Sequence, residues 1–220
     1  LGQHFMGKTR LNEHAAFLNW LVAQVEQYQI DAVLVAGDIF DTGTPPSYAR
    51  ELYHNFVVQI SRSGASLVLL GGNHDSVAML NESRELLGAL NVRVIPGAMA
   101  EPEQQIITLA NRAGEPGAVL CAIPFLRPRD LLESRAGDSA DDKGRALQQA
   151  IAAHYQQLYE QARAQNAGLP IVATGHLTTV GASRTDSVRD IYIGSLEAFP
   201  GRAFPAADYI ALGHIHRPQK

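Results

Sequence analysis

Four short stretches of this 220-residue chain carry side chains able to hold a cation. They are Gly37-Asp-Ile-Phe-Asp41, Gly71-Gly-Asn-His-Asp75, Gly175-His176 and Gly213-His-Ile-His216. Each follows an apolar run, with a glycine first and then a carboxylate, amide or imidazole. Taken singly, each has a plainer reading. Asp38 could cap the next segment, Gly175-His176 could be an ordinary turn, and glycine with asparagine is common turn chemistry. Taken together, Asp38, Asn73, His176, His214 and His216 supply one carboxylate, one amide and three imidazoles without a thiolate. That set suits Mn, Fe or Zn better than a structural zinc site. Asp38 has two oxygens and could bridge two ions, while His214 and His216 could each face a different one. Two ions about 3.5–4 Å apart would stabilise the attacking and leaving oxygens of a phosphoryl displacement.

The runs that end in these turns read as strands. Asp31 to Ala36, Ser66 to Leu70, Pro170 to Thr174 and Asp208 to Leu212 are short and continuously apolar, as strands covered on both faces are. Further strands are expected at Val92 to Ile95, Gln105 to Leu109 and Ala118 to Ile123. Helical spacing of Phe17, Trp20, Leu21 and Val25 predicts a helix over about 11–29. Ser47 can cap a helix on which Leu52, Phe56 and Ile60 share a face. Helices are also expected over about 77–90 and 145–166, with a loop from Leu126 to Gly144 and no strand at Leu1. Alternating strands and helices predict an α/β layered domain without an internal repeat or a dividing linker. In such sheets ligands gather at the carboxyl ends of strands, so the four turns should converge.

The bulk numbers agree with a globular protein. Hydrophobic residues make up 46% and charged ones 18%, and no apolar run approaches a membrane span. The net charge of −4 gives no basic footprint, so a polyanion would need a local patch or metal ions. The single cysteine, Cys121, reads as a small core residue and fits a reducing, cytoplasmic setting.

The ordered set of motifs resembles the calcineurin-like metallophosphoesterase superfamily. Within it, Phe40 to Arg50, Gly72 to Val77, Ile123 to Arg129 and Gly175 to Ser183 are similar to the SbcD-like family of bacterial nuclease subunits. The resemblance runs along essentially the whole chain. It implies a layered fold of central β-sheets flanked by helices, and a Mn-dependent DNA exonuclease and endonuclease acting in repair, recombination and replication. It implies an SbcC-like ATPase partner with a long coiled coil, and a homodimer. The helix bearing Tyr48, Leu52 and Phe56 is a candidate dimer face, or ordinary packing onto the sheet.

By the family pattern Asp38 bridges two ions. Asn73, His176 and His214 hold the second ion, and His216 helps hold the first. His74 would steady the transition-state phosphate or protonate the leaving oxygen, with Asp75 orienting it. Asp41 could orient a ligand or cap its turn. Arg127, Arg129, Arg184 and Arg189 could hold a DNA backbone or form a solvated loop face.

One family motif, Asp-x-His, is not found. In SbcD-like chains it stands directly before a Leu-Gly pair, and this chain starts at Leu1-Gly2. We therefore expect residues 1–220 to be a nuclease domain truncated at both ends, lacking its first strand and the C-terminal capping region. Such a chain should hold the second ion well and the first weakly, with reduced hydrolysis. The competing functional readings are a phosphatase or phosphodiesterase for a small-molecule or protein substrate, and a catalytically impaired fragment that dimerises.

Overall fold

The computed structural model describes residues 1–132, 139–166, 168–179 and 198–216. A hairpin of two-residue strands, β1 (His4–Phe5) with β2 (Lys8–Thr9), opens the chain and is not announced by the sequence. Helix α1 (Leu11–Gln27) leads to β3 (Ala32–Ala36), and α2 (Ser47–Ser63) leads to β4 (Ser66–Leu70). Helices α3 (Val77–Glu82) and α4 (Arg84–Gly88) precede β5 (Val92–Ile95). Strands β3, β4 and β5 form one parallel sheet with β4 in the middle.

The second half builds another sheet. It contains β6 (Ile106–Ala110), β7 (Pro116–Cys121), β8 (Ile171–His176) and β9 (Tyr209–Gly213) in that order. The first pair is antiparallel and the others are parallel. Short α5 (Pro128–Leu131) and long α6 (Ala140–Gln165) lie between β7 and β8 in the chain.

Strand alternation explains the layering. In β4, Leu67 and Leu69 pack with α1 and α2, while Val68 and Leu70 pack against the second sheet. In β7, Val119 and Cys121 pack with Leu147, Ile151, Tyr155 and Leu158 of α6, while Leu120 faces the first sheet. Both faces of β4 and β7 are covered, as their continuous apolar runs suggest, whereas β9 leaves Tyr209 and Leu212 exposed. Each fully buried leucine contributes about 1.5–3 kcal/mol. Cys121 is buried in this core, as expected, and burial pushes its thiol up to about 12.

Three local expectations need correction, and a fourth leaves two alternatives. The helix over 77–90 breaks at Ser83 (φ −107°), giving α3 and α4; Ser76, whose hydroxyl accepts from the Met79 amide, caps the first. Ser47 is the first residue of α2 rather than its cap, which is Pro46. The loop expected from 126 to 144 contains α5 and the start of α6. There Ser139 accepts from the Asp142 amide, and Asp141 and Asp142 sit favourably at the positive end of the helix dipole. Finally, the Tyr48–Leu52–Phe56 face turns largely into its own chain. Phe56 is buried in the core, and Tyr48 donates to the Gly2 carbonyl at 3.1 Å.

One partly buried histidine has a pH consequence. His154 Nε2 on α6 is sealed from solvent with no hydrogen-bond partner among the described residues, and burial lowers its pKa below 6.5. The neutral form is thus favoured in the folded state. Its contribution is present above about pH 6.5 and is lost as pH falls through the folded pKa. His154→Leu is expected to flatten the acid side of a melting-temperature profile, measured in parallel with the parent chain.

Candidate metal centre

The carboxyl ends of β3, β4, β8 and β9 meet at one edge of the two sheets. Gly37 (φ +91°) and Asp38 (φ +52°) turn left-handed directly after β3. A Cβ on Gly37 would collide with the His176 ring, and one on Gly72 would collide with the Asp38 amide and carboxylate. These glycines are required because ligand side chains occupy the space beside them. From below, Tyr155 of α6 donates to the Thr174 carbonyl at 2.8 Å and steadies the end of β8.

His176 is almost wholly buried, at 1% exposure. Its Nδ1 lies 2.7 Å from the Ala36 carbonyl, an acceptor, so Nδ1 carries the proton. The other ring nitrogen, Nε2, then faces Asp38 Oδ2 at 3.2 Å, Asn73 Oδ1 at 2.9 Å and His214 Nδ1 at 3.3 Å. His214 Nδ1 also lies 3.1 Å from Asn73 Oδ1. A cluster of electron-pair donors this dense needs a shared proton or a cation. Ligands about 2.1 Å from an ion and at right angles lie about 3.0 Å apart, so the separations suit a small divalent ion. The residues fit a metal.

Electrostatics act on both Asp38 and His214. Burial works against the Asp38 carboxylate, but the hydrogen bond and charge of His176 and the His74 amide outweigh it, and the pKa falls below 3.8. His214 is pushed down to about 4 by burial and by His176, which leaves a neutral imidazole at neutral pH.

The other expected residues fall into place around this cluster. His74 is half-buried, and its Nδ1 lies 2.9 Å from the Asp41 carbonyl. That bond places the proton on Nδ1. His74, Asp38 and the exposed His216 line one open cavity of about 140 Å³. His216 thus shares this cavity with Asp38 and His74. Asp75 does something the sequence does not suggest. Its carboxylate accepts from the amides of Ile39 at 3.1 Å, Phe40 at 2.9 Å and Gly72 at 2.8 Å. It ties the Asp38 turn to the Asn73 turn, while the main chain of Asp41 orients His74. Burial raises the Asp75 pKa, the three amides pull it back, and the negative charge of Asp38 adds to the rise.

Of the four loop arginines, Arg129 is exposed and pairs with Asp130 at 3.8 Å, whereas Arg127 is buried. Arg184 and Arg189 lie outside the described residues.

Two sheets between helical layers, with acidic, amide and imidazole side chains gathered at their carboxyl edge, define a class. The chain belongs to the calcineurin-like phosphoesterase family, which it matches over residues 4–218. It is similar to the SbcD component of the SbcCD nuclease of Escherichia coli strain K12, with 57% identity over 221 residues, covering 100% of this chain and 54% of the relative. The protein of the same name in Rhodobacter capsulatus is 37% identical over 229 residues, covering 100% of this chain and 56% of the relative. That of Bacillus subtilis is 31% identical over 223 residues, with 100% and 55% covered. The chain spans about half the length of the curated relatives it matches.

Proposed function

We propose that this chain is the catalytic part of an SbcCD-like nuclease, hydrolysing DNA phosphodiesters as exonuclease and endonuclease in repair, recombination and replication. The observation that carries the reading is the convergence of Asp38, Asn73, His176 and His214 in a chain 57% identical to a nuclease component. Mn²⁺ is the proposed ion, because a mixed carboxylate, amide and imidazole set without thiolate suits it. Asp38, Asn73, His176 and His214 would hold one ion, and Asp38 with His216 would contribute to a second. When bound, such ions neutralise charge on the phosphate and hold the attacking and leaving oxygens in line.

The chain's own groups do the rest. The Asp41 carbonyl holds the His74 ring so that Nε2 faces the cavity. There His74 would steady the transition-state phosphate or protonate the leaving oxygen. Asp75 keeps the two ligand turns in register. An SbcC-like ATPase and a second copy of the chain are the proposed partners, the latter testable by light scattering. Exposed Phe17 and Trp20 on α1 and Leu86 on α4 offer apolar surface for such contacts. Among the described residues no helix is long and apolar enough to cross a membrane, and a cytoplasmic setting is proposed.

The test compares substrates with Mn²⁺ present. Oligonucleotide cleavage should exceed hydrolysis of p-nitrophenyl phosphate, and His74→Ala should slow cleavage by about 100-fold or more. Monoester hydrolysis without oligonucleotide cleavage would point instead to a phosphatase.

A further inference from the structure

Arg127 sits at the end of a connection that runs from β7 to α5 directly beneath the metal-site turns. It is 8% exposed. Its Nη2 donates to the Gly72 carbonyl at 3.3 Å and to the Asp75 carbonyl at 3.1 Å. Those two carbonyls bracket Asn73 and His74. Its Nη1 is sealed from solvent and has no partner among the described residues, so it offers no face to a DNA phosphate. The guanidinium lies 5.5 Å from the Phe125 ring centre, which adds a cation–π contact.

The rest of the connection reaches the same centre. The Phe125 amide donates to the Gly71 carbonyl at 2.8 Å. The Phe125 ring meets His176 edge-on, with centroids 6.1 Å apart and planes at 86°. The Ile123 amide donates to Thr174 Oγ1 at 2.7 Å, two residues before His176 on β8. Arg127 is itself anchored, since its amide donates to Asp130 Oδ2 at 3.2 Å. The connection therefore touches the Asn73 turn and the His176 strand end together.

We infer that Arg127 is a positioning residue for the metal centre: by clamping the carbonyls on either side of Asn73 and His74, it holds Asn73 Oδ1 at ligand distance from His176 and His214. Without the guanidinium, two carbonyls beneath the site lose their donor and the turn between them gains freedom to rotate. Arg suits the task because it stays charged when buried and its planar head also packs on an aromatic face. This role rests on the metal reading of the site.

The experiment is a Mn²⁺ titration of the full chain, following free Mn²⁺ by electron paramagnetic resonance, at a temperature where circular dichroism shows each variant folded. Arg127→Met should bind Mn²⁺ about 10–100-fold more weakly than the parent, the loss usual for an outer partner of a metal ligand. Parental affinity in a folded Arg127→Met chain overturns the inference. That holds equally if DNA binding is weakened, because Arg127 would then be a DNA contact. If the Met variant does not fold, Arg127→Gln is held to the same tenfold threshold and decides in the same way. Absence of Mn²⁺ binding by the parent chain overturns the metal reading, and this role with it.

Discussion

Asp75→Ala should destabilise the chain by on the order of 4 kcal/mol, because it strands buried backbone donors that each cost about 1–3 kcal/mol when left unsatisfied. Three amides lose their acceptor at once, those of Ile39, Phe40 and Gly72. All three bonds are buried, so water does not replace the lost carboxylate without opening the structure. For a chain of this size the melting temperature should fall by roughly 8–16 °C. Asp75→Asn should fall less, since an amide oxygen still accepts while its NH₂ faces a donor. Differential scanning calorimetry of the metal-free chains measures both. A loss below about 1 kcal/mol for Asp75→Ala would mean that the two ligand turns hold their register without the carboxylate.

The second large effect is on metal rather than on stability. His176→Leu removes the atom that lies within 3.3 Å of Asp38 Oδ2, Asn73 Oδ1 and His214 Nδ1 alike. Mn²⁺ affinity should fall by more than about 100-fold, beyond the range usual for loss of an outer-shell partner. The metal-free chain should change by only about 1–2 kcal/mol, the cost of leaving the Ala36 carbonyl without its donor. Part of that cost is returned, because three electron-pair donors no longer crowd a fourth. Affinity by Mn²⁺ titration and stability by urea unfolding separate the two effects. A large stability loss with unchanged Mn²⁺ affinity would make His176 a core residue.

These two residues also mark how far the sequence can be read. His176 is legible because its glycine and its apolar strand repeat a pattern present at three other strand ends. Four such ends in one α/β chain imply convergence, and the structure brings Asp38, Asn73, His176 and His214 together. The continuous apolar runs likewise announce strands, covered on both faces in β4 and β7 but not in β9, where Tyr209 and Leu212 are exposed. Asp75 is legible as part of the motif but not in its partners, because main-chain amides leave no mark on a sequence. Arg127 reads as a surface loop residue for the same reason: its acceptors are carbonyls contributed by a distant turn. The early start of α6 is hidden by composition. Asp and Gly suggest a loop, while Ser139 and the two aspartates after it are helix-start chemistry. The break at Ser83 and the opening hairpin involve too few residues for periodicity to reveal them.

Metal stoichiometry tests the central claim most directly. The full chain, dialysed first against chelator and then against Mn²⁺, is analysed for manganese and protein in the same sample. Convergence of Asp38, Asn73, His176 and His214 predicts at least one tightly held ion per chain, lost in His176→Leu and accompanied by a rise in melting temperature. A folded chain that retains no manganese would contradict the claim that these four strand ends form a metal centre.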